Sequence, residues 1–120
     1  MKKSAIALMA LISGATAALA GEADVVAAQA HAAGDGAWNF DVSVRHADSG
    51  WDHYADNFEV LTLDGKLLGR RVLLHPHETE QPFTRSLYGV KIPSGVQKVR
   101  IRAHDKVHGH GGRELVIELK

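Results

Sequence analysis

The sequence contains no cysteine among its 120 residues. That absence rules out disulfides, thiolate zinc sites, iron–sulfur clusters and cysteine nucleophiles, and a lipid attached to a cysteine is not expected. An excess of one charge is also missing, because 14 Lys and Arg face 14 Asp and Glu. Without a net field, neither nucleic acid nor an anionic membrane surface is an expected partner. No apolar run reaches the ~18 residues that a spanning helix needs, so no membrane span is expected. Helical periodicity is lacking too. Beyond the first 20 residues, no segment repeats apolar residues at i, i+3, i+4 and i+7 over three turns with caps.

What is present begins with a leader. Lys2 and Lys3 make a basic start, Ala5 to Ile12 is apolar, and Ala15 to Ala20 is small and mostly alanine. Ala18-Leu19-Ala20 fits the small-x-small rule, which places a signal-peptide cut between Ala20 and Gly21. The division is then 1–20 signal peptide and 21–120 one domain, working in the periplasm or secreted. Cleavage removes Met1 and Met9, the two methionines, and takes the 14 basic groups to 12 against 14 acidic. All eight histidines stay.

The remaining pattern has a period of two. Trp38, Phe40, Val42 and Val44 alternate with Asn39, Asp41, Ser43 and Arg45. Phe58 to Leu63 and Leu67 to Leu74 flank Asp64-Gly65, a favoured two-residue hairpin turn. Val99, Ile101 and Ala103 alternate with Lys98, Arg100 and Arg102, and Leu115, Ile117 and Leu119 with Glu114, Val116 and Glu118. Asp24 to His31 and Phe83 to Leu87 are weaker strands. Seven short strands punctuated by Gly and Pro predict an all-β fold, a single antiparallel β-sandwich of immunoglobulin or fibronectin type. A small closed barrel is the alternative.

Hairpin arithmetic supplies a register. Pairing numbers that sum to 216 sets Arg102 opposite Glu114, Lys98 opposite Glu118, Ile101 opposite Leu115 and Val99 opposite Ile117. Charges then meet on one face, which accounts for the basic row without a ligand. In the preceding hairpin Glu59 falls opposite Arg70, while the leucines there fall on both parities.

Strands that alternate in direction place the connections 46–55, 75–82 and 104–112 at one pole. These contain His46, His53, His75, His77, His104, His108 and His110, leaving only His31 elsewhere. Long decorated loops at one end of a rigid sandwich are where binding is usually placed. His75-Pro76-His77 and His108-Gly109-His110 are i, i+2 pairs whose imidazoles can face one side, and the glycines at 109, 111 and 112 permit a close approach. His75 and His77 are therefore the first candidate metal ligands, then His104 and His108, with His110, His46 and His53 in reserve. Nitrogen donors without sulfur suit Zn²⁺, Cu²⁺ or Ni²⁺ rather than Cu⁺. Asp48, Glu78, Glu80 and Asp105 are candidates to orient imidazoles, with His53 beside Asp52 and His104 beside Asp105 as local pairs. Trp51 is expected to plug the top of the core.

The chain thus reads as an exported small binding protein whose partner is a divalent transition ion. The alternative is a protein- or glycan-interaction module in the periplasm without a metal, with Trp51, Tyr54 and Phe83 as first contacts. Nothing matches a nucleophile elbow, so hydrolysis is not expected. A metalloenzyme would need an open coordination position in the same site.

Overall fold

A computed structural model describes residues 22–120. The leader and its cut before Gly21 lie outside the described residues. The described residues form seven strands and no helix: β1 (Asp24–Gly34), β2 (Ala37–Arg45), β3 (Ala55–Leu61), β4 (Leu67–Val72), β5 (Phe83–Lys91), β6 (Lys98–Asp105) and β7 (Leu115–Glu118). All pairings are antiparallel. One sheet has the order β1-β2-β5 and the other β4-β3-β6-β7. This is an immunoglobulin/fibronectin-like sandwich in which the fourth strand pairs with the third instead of extending the first sheet.

Alternation decides which side chains meet between the sheets. Phe40, Val42 and Val44 point inward from β2, Phe58 and Val60 from β3, and Val99, Ile101 and Ala103 from β6, all buried. Phe83, Val25 and Val90 close this core. Each such aliphatic or aromatic side chain contributes about 1.5–3 kcal/mol on leaving water. The β3–β4 leucines divide. Leu61 and Leu73 are buried and Leu68 packs against the core, whereas Leu63, Leu67 and Leu74 are exposed.

Both open sides of the sandwich are shut by close backbone approach. On one side Gly69 of β4 lies so near β5 that a Cβ would sit 3.1 Å from Val90 Cγ2 and 3.2 Å from Leu87 Cδ2. On the other, a Cβ on Gly112 would overlap the Ala23 carbonyl, so only glycine fits. There Val25 N–H donates to the Arg113 carbonyl at 2.8 Å and Arg113 N–H to Asp24 Oδ1 at 2.7 Å. The expected close approach of the glycine-rich loop is thus to the start of β1.

The β6–β7 register agrees with the arithmetic for Lys98↔Glu118, Val99↔Ile117 and Ile101↔Leu115. The Arg102–Glu114 pairing does not form. Arg102 Nε donates to Glu59 Oε1 on β3 at 2.8 Å, and Arg100 takes Glu114 at 3.3 Å. The reason is that β6 is an inner strand, so its outward cations have a neighbour on each side, and Glu59 is the closer carboxylate. Glu59 does stand opposite Arg70.

With strand directions settled, the β2–β3, β4–β5 and β6–β7 connections share one pole and carry six histidines, and His104 at the end of β6 makes the seventh there. His31 lies in β1 opposite Asn39, 3.4 Å from Asp41 Oδ2.

Candidate metal centre

The site grows out of the core pattern. His46 follows Phe40, Val42 and Val44 at the next inward position, and Asp105 follows Val99, Ile101 and Ala103 in the same way. Both side chains are fully buried. The two sheets therefore each push one polar group into the top of an apolar core. His53, from the β2–β3 loop, covers them from above with its side chain 23% exposed.

His46 Nε2 lies 3.3 Å from His53 Nε2 and 3.6 Å from Asp105 Oδ2, and His53 Nε2 lies 3.6 Å from Asp105 Oδ1. One ligand atom from each of the three falls within 4.8 Å of the others. Asp105 uses its two oxygens differently. Oδ1 accepts the backbone N–H groups of Val107 at 2.8 Å and His108 at 2.6 Å. Oδ2 is buried and has no hydrogen-bond partner. A buried carboxylate oxygen without a hydrogen bond is costly, so its placement beside the His46 imidazole is a specific feature of the site.

Asp48 fixes the direction of His46. Its Oδ1 accepts from His46 Nδ1 at 2.5 Å and from Ala55 N–H at 3.0 Å, and its Oδ2 accepts from His77 N–H at 2.5 Å. Burial alone would raise the Asp48 carboxyl. The hydrogen bonds from His46, His77 and Ala55 outweigh it and hold the group below its ordinary value. With Asp48 on its Nδ1, His46 presents Nε2 toward His53 and Asp105. Gln81 ties the same region together. Its Oε1 accepts from His46 N–H and its Nε2 donates to the His77 carbonyl, both at 2.8 Å.

The other histidines are placed as follows. His108 flanks the site, with Nδ1 3.3 Å from Asp105 Oδ1 and its ring 5.0 Å from that of His53. His77 is buried and stacked on Phe83 at 3.9 Å and 10°, and neither ring nitrogen has a hydrogen-bond partner. Its pKa is lowered by burial first, then by Arg85 and His75. His75 is exposed, its ring 4.6 Å from that of His77 and its Nδ1 3.0 Å from the Pro76 carbonyl. His104 and His110 form a separate pair on the outer face of β3 and β6, with rings 4.8 Å apart. His104 Nδ1 bonds Asp56 Oδ1 at 2.5 Å, and His110 Nε2 is 3.3 Å from Glu59 Oε1.

The structure therefore gathers His46 and His53 with Asp105, sets His108 beside them, and directs His75, His77, His104 and His110 to other partners. The local pairs expected from sequence are exchanged, because His53 turns to Asp105 and His104 to Asp56. Trp51 is not a plug. It is 64% exposed and meets Tyr54 edge-on at 5.7 Å, and Tyr54 is the buried member. A loop tip carrying Ser49 and Gly50 has no inward position to offer, whereas Tyr54 lies next to β3. Asp105 was expected only to orient imidazoles, and its place among the candidate ligands was missed, although its inward parity after Ala103 was the signal.

No family model matches the chain, and no solved structure matches it. A curated protein named "Putative lipoprotein" from Halomicrobium mukohataei is 46% identical over 99 residues. The match takes in 82% of this chain and 48% of that protein, so the chain spans about half the length of the relative.

Proposed function

We propose that this chain is an exported β-sandwich protein that binds a divalent transition ion, Zn²⁺ or Cu²⁺, at the His46–His53–Asp105 pole. One observation carries the reading: two imidazole Nε2 atoms 3.3 Å apart beside a buried carboxylate oxygen that has no hydrogen-bond partner. Two ligands held at ~2.0–2.1 Å from a tetrahedral ion are about 3.3–3.4 Å apart, which is the spacing of the two nitrogens. Nitrogen and oxygen donors without sulfur suit Zn²⁺ and Cu²⁺, and two histidines with one carboxylate also serve Fe²⁺. Export rests on the basic and apolar start of the sequence and on the lipoprotein name of the Halomicrobium relative. Periplasmic residence and the cut after Ala20 belong to the same proposal.

Calorimetric titration of the purified protein with Zn²⁺, Cu²⁺ and anaerobic Fe²⁺ tests it. Binding is expected in the wild type and lost in His46→Ala and in His53→Ala. Equal heats in all three proteins would overturn the reading. Mass spectrometry of protein recovered from the cell envelope tests the cut, with Gly21 as the expected first residue.

A second reading has its own observation. Trp51, Leu74 and Val107, one from each loop of the pole, are each at least 60% exposed. Such residues suit contact with a protein or glycan, and partner capture insensitive to chelator would favour this non-metal role.

A further inference from the structure

We infer that His108 is the fourth ligand, so that the ion is enclosed by three imidazoles and one carboxylate and keeps no water of its own. This rests on the reading of His46, His53 and Asp105 as an ion site, and it goes further by making that site closed.

The argument starts from Asp105. Its Oδ1 accepts the N–H groups of Val107 and His108, and its backbone N–H and carbonyl each bond Gly109 at 3.1 Å. That tight turn needs Gly109 at a φ of 69°. The same carboxylate that presents Oδ2 to His46 and Oδ1 to His53 thus holds the turn that delivers His108. The geometry is fixed by one residue and not by the whole loop.

His46 and Asp105 occupy the inner side of the site, and both are fully buried. The outer side belongs to His53 and His108, whose side chains are 23% and 32% exposed. A tetrahedral ion on the first three ligands has its remaining position facing outward, where His108 stands. Rings that share one such ion at ~2.0–2.1 Å have centroids about 5 Å apart. The His46–His53 separation is 4.8 Å and the His53–His108 separation is 5.0 Å. His108 Nδ1 rests 3.3 Å from Asp105 Oδ1, so turning about the side-chain bonds brings a ring nitrogen to the ion without moving the turn.

The chemical consequence is a holding site. Four protein ligands leave no position for a substrate or an activated water, which separates this centre from a hydrolytic metal site with three ligands. The ion is cargo or a staple of the pole, and its release requires His108 to swing out first.

Cobalt(II) makes the shell visible, because four-coordinate Co²⁺ absorbs visible light far more strongly than five- or six-coordinate Co²⁺. CoCl₂ is titrated into the wild type, His108→Ala, His108→Gln and the control His110→Ala, with thermal melts confirming that each is folded. The wild type and His110→Ala are expected to give the intense four-coordinate bands. The two His108 variants are expected to give weaker bands. Their affinity falls by at least the ~10–100-fold that loss of an orienting partner costs, and added imidazole restores the His108→Ala bands. Spectra and affinities in the His108 variants equal to wild type would overturn the fourth-ligand inference while leaving the ion site in place. A wild type that binds no Co²⁺, Zn²⁺ or Cu²⁺ would overturn both.

Discussion

His46 and His53 meet Nε2 to Nε2 at 3.3 Å, their rings inclined at 77°. Two lone pairs cannot face each other at that distance, so one nitrogen must carry a proton or both must share a cation. Asp48 fixes the far side of His46. It accepts the Nδ1 proton of His46, so a neutral His46 offers a lone pair at Nε2. With His46 neutral, His53 Nε2–H is the donor of the bond. Under the proposed metal reading an ion takes the place of that one proton, so a proton and a divalent ion compete for the contact.

Asp48 should matter to the ion although it does not touch it. Asp48→Asn keeps the shape but removes the charge that orients His46. Loss of such a partner costs ~10–100-fold in metal affinity. The same change weakens three hydrogen bonds in a buried spot, for about 2 kcal/mol of stability. Calorimetry with Zn²⁺ and a urea melt without metal read the two effects separately. Unchanged affinity beside a lowered melt would make Asp48 a purely structural residue.

Glu59 gives the fold an acid limit. It is buried on the outer face of β3, with Arg70 Nε at 2.8 Å from Oε2 and Arg102 Nε at 2.8 Å from Oε1. Burial alone would raise its carboxyl. The hydrogen bonds and charges of Arg70 and Arg102 outweigh that and hold it below its ordinary value of 4.5. A depressed carboxyl contributes stability in full above pH 4.5, and that contribution is lost as pH falls through the lower folded value. Glu59→Gln should lose about 2 kcal/mol at pH 7 and show a shallower decline of stability below pH ~4.5. Parallel curves for mutant and wild type from pH 7 to 3 would sink this.

Much of this was written in the periodicity. The alternation of Trp38–Val44 and Val99–Ala103 named two of the three inner strands and the middle of the core, because a half-buried strand has no other economical pattern. Direction reversal at short turns then gathered seven histidines at one pole. What could not be read was which histidine faces which carboxylate. The i, i+2 spacing of His75 and His77 favoured them, yet it says nothing of whether a ring points at Phe83 or at another loop. Inward parity was the better guide, since it reaches past Val44 to His46 and past Ala103 to Asp105. Arg102 illustrates the same limit, because its partner Glu59 lies on a strand far away in sequence.

Gly69 tests the lateral seam. A methyl there would meet Val90 Cγ2 at 3.1 Å and Leu87 Cδ2 at 3.2 Å, tighter than ordinary contact. Val90 is buried and β-branched, so it has little freedom to turn aside. Gly69→Ala should destabilise by about 1–2 kcal/mol, more than the ~0.4–1 kcal/mol gained from a stiffer unfolded chain. A thermal or urea melt reads the sign, and a more stable variant would show that β4 and β5 have room to part.

His77 separates the packing role from the ligand role in one substitution. Its ring lies flat on Phe83 with both nitrogens buried and without hydrogen bonds, and its Nδ1 is 3.9 Å from Asp48 Oδ2. Burial, Arg85 and His75 keep it below its ordinary pKa of 6.5. A histidine held neutral in the fold contributes stability in full above pH 6.5, and that contribution declines as pH drops below it, because the unfolded chain takes up the proton first. His77→Phe keeps the stacked ring and removes two unsatisfied polar atoms. It should raise stability by about 1 kcal/mol at pH 7.5, near 4–8 °C in Tm for a domain of this size. The gain should widen at pH 5.5, since phenylalanine takes up no proton. Zn²⁺ affinity should not change, because the Asp48 contact that serves the site comes from the His77 backbone N–H. If His77→Phe folds with a raised melt and yet loses Zn²⁺, the ion is held by the His75–His77 pair and the His46–His53–Asp105 assignment is wrong.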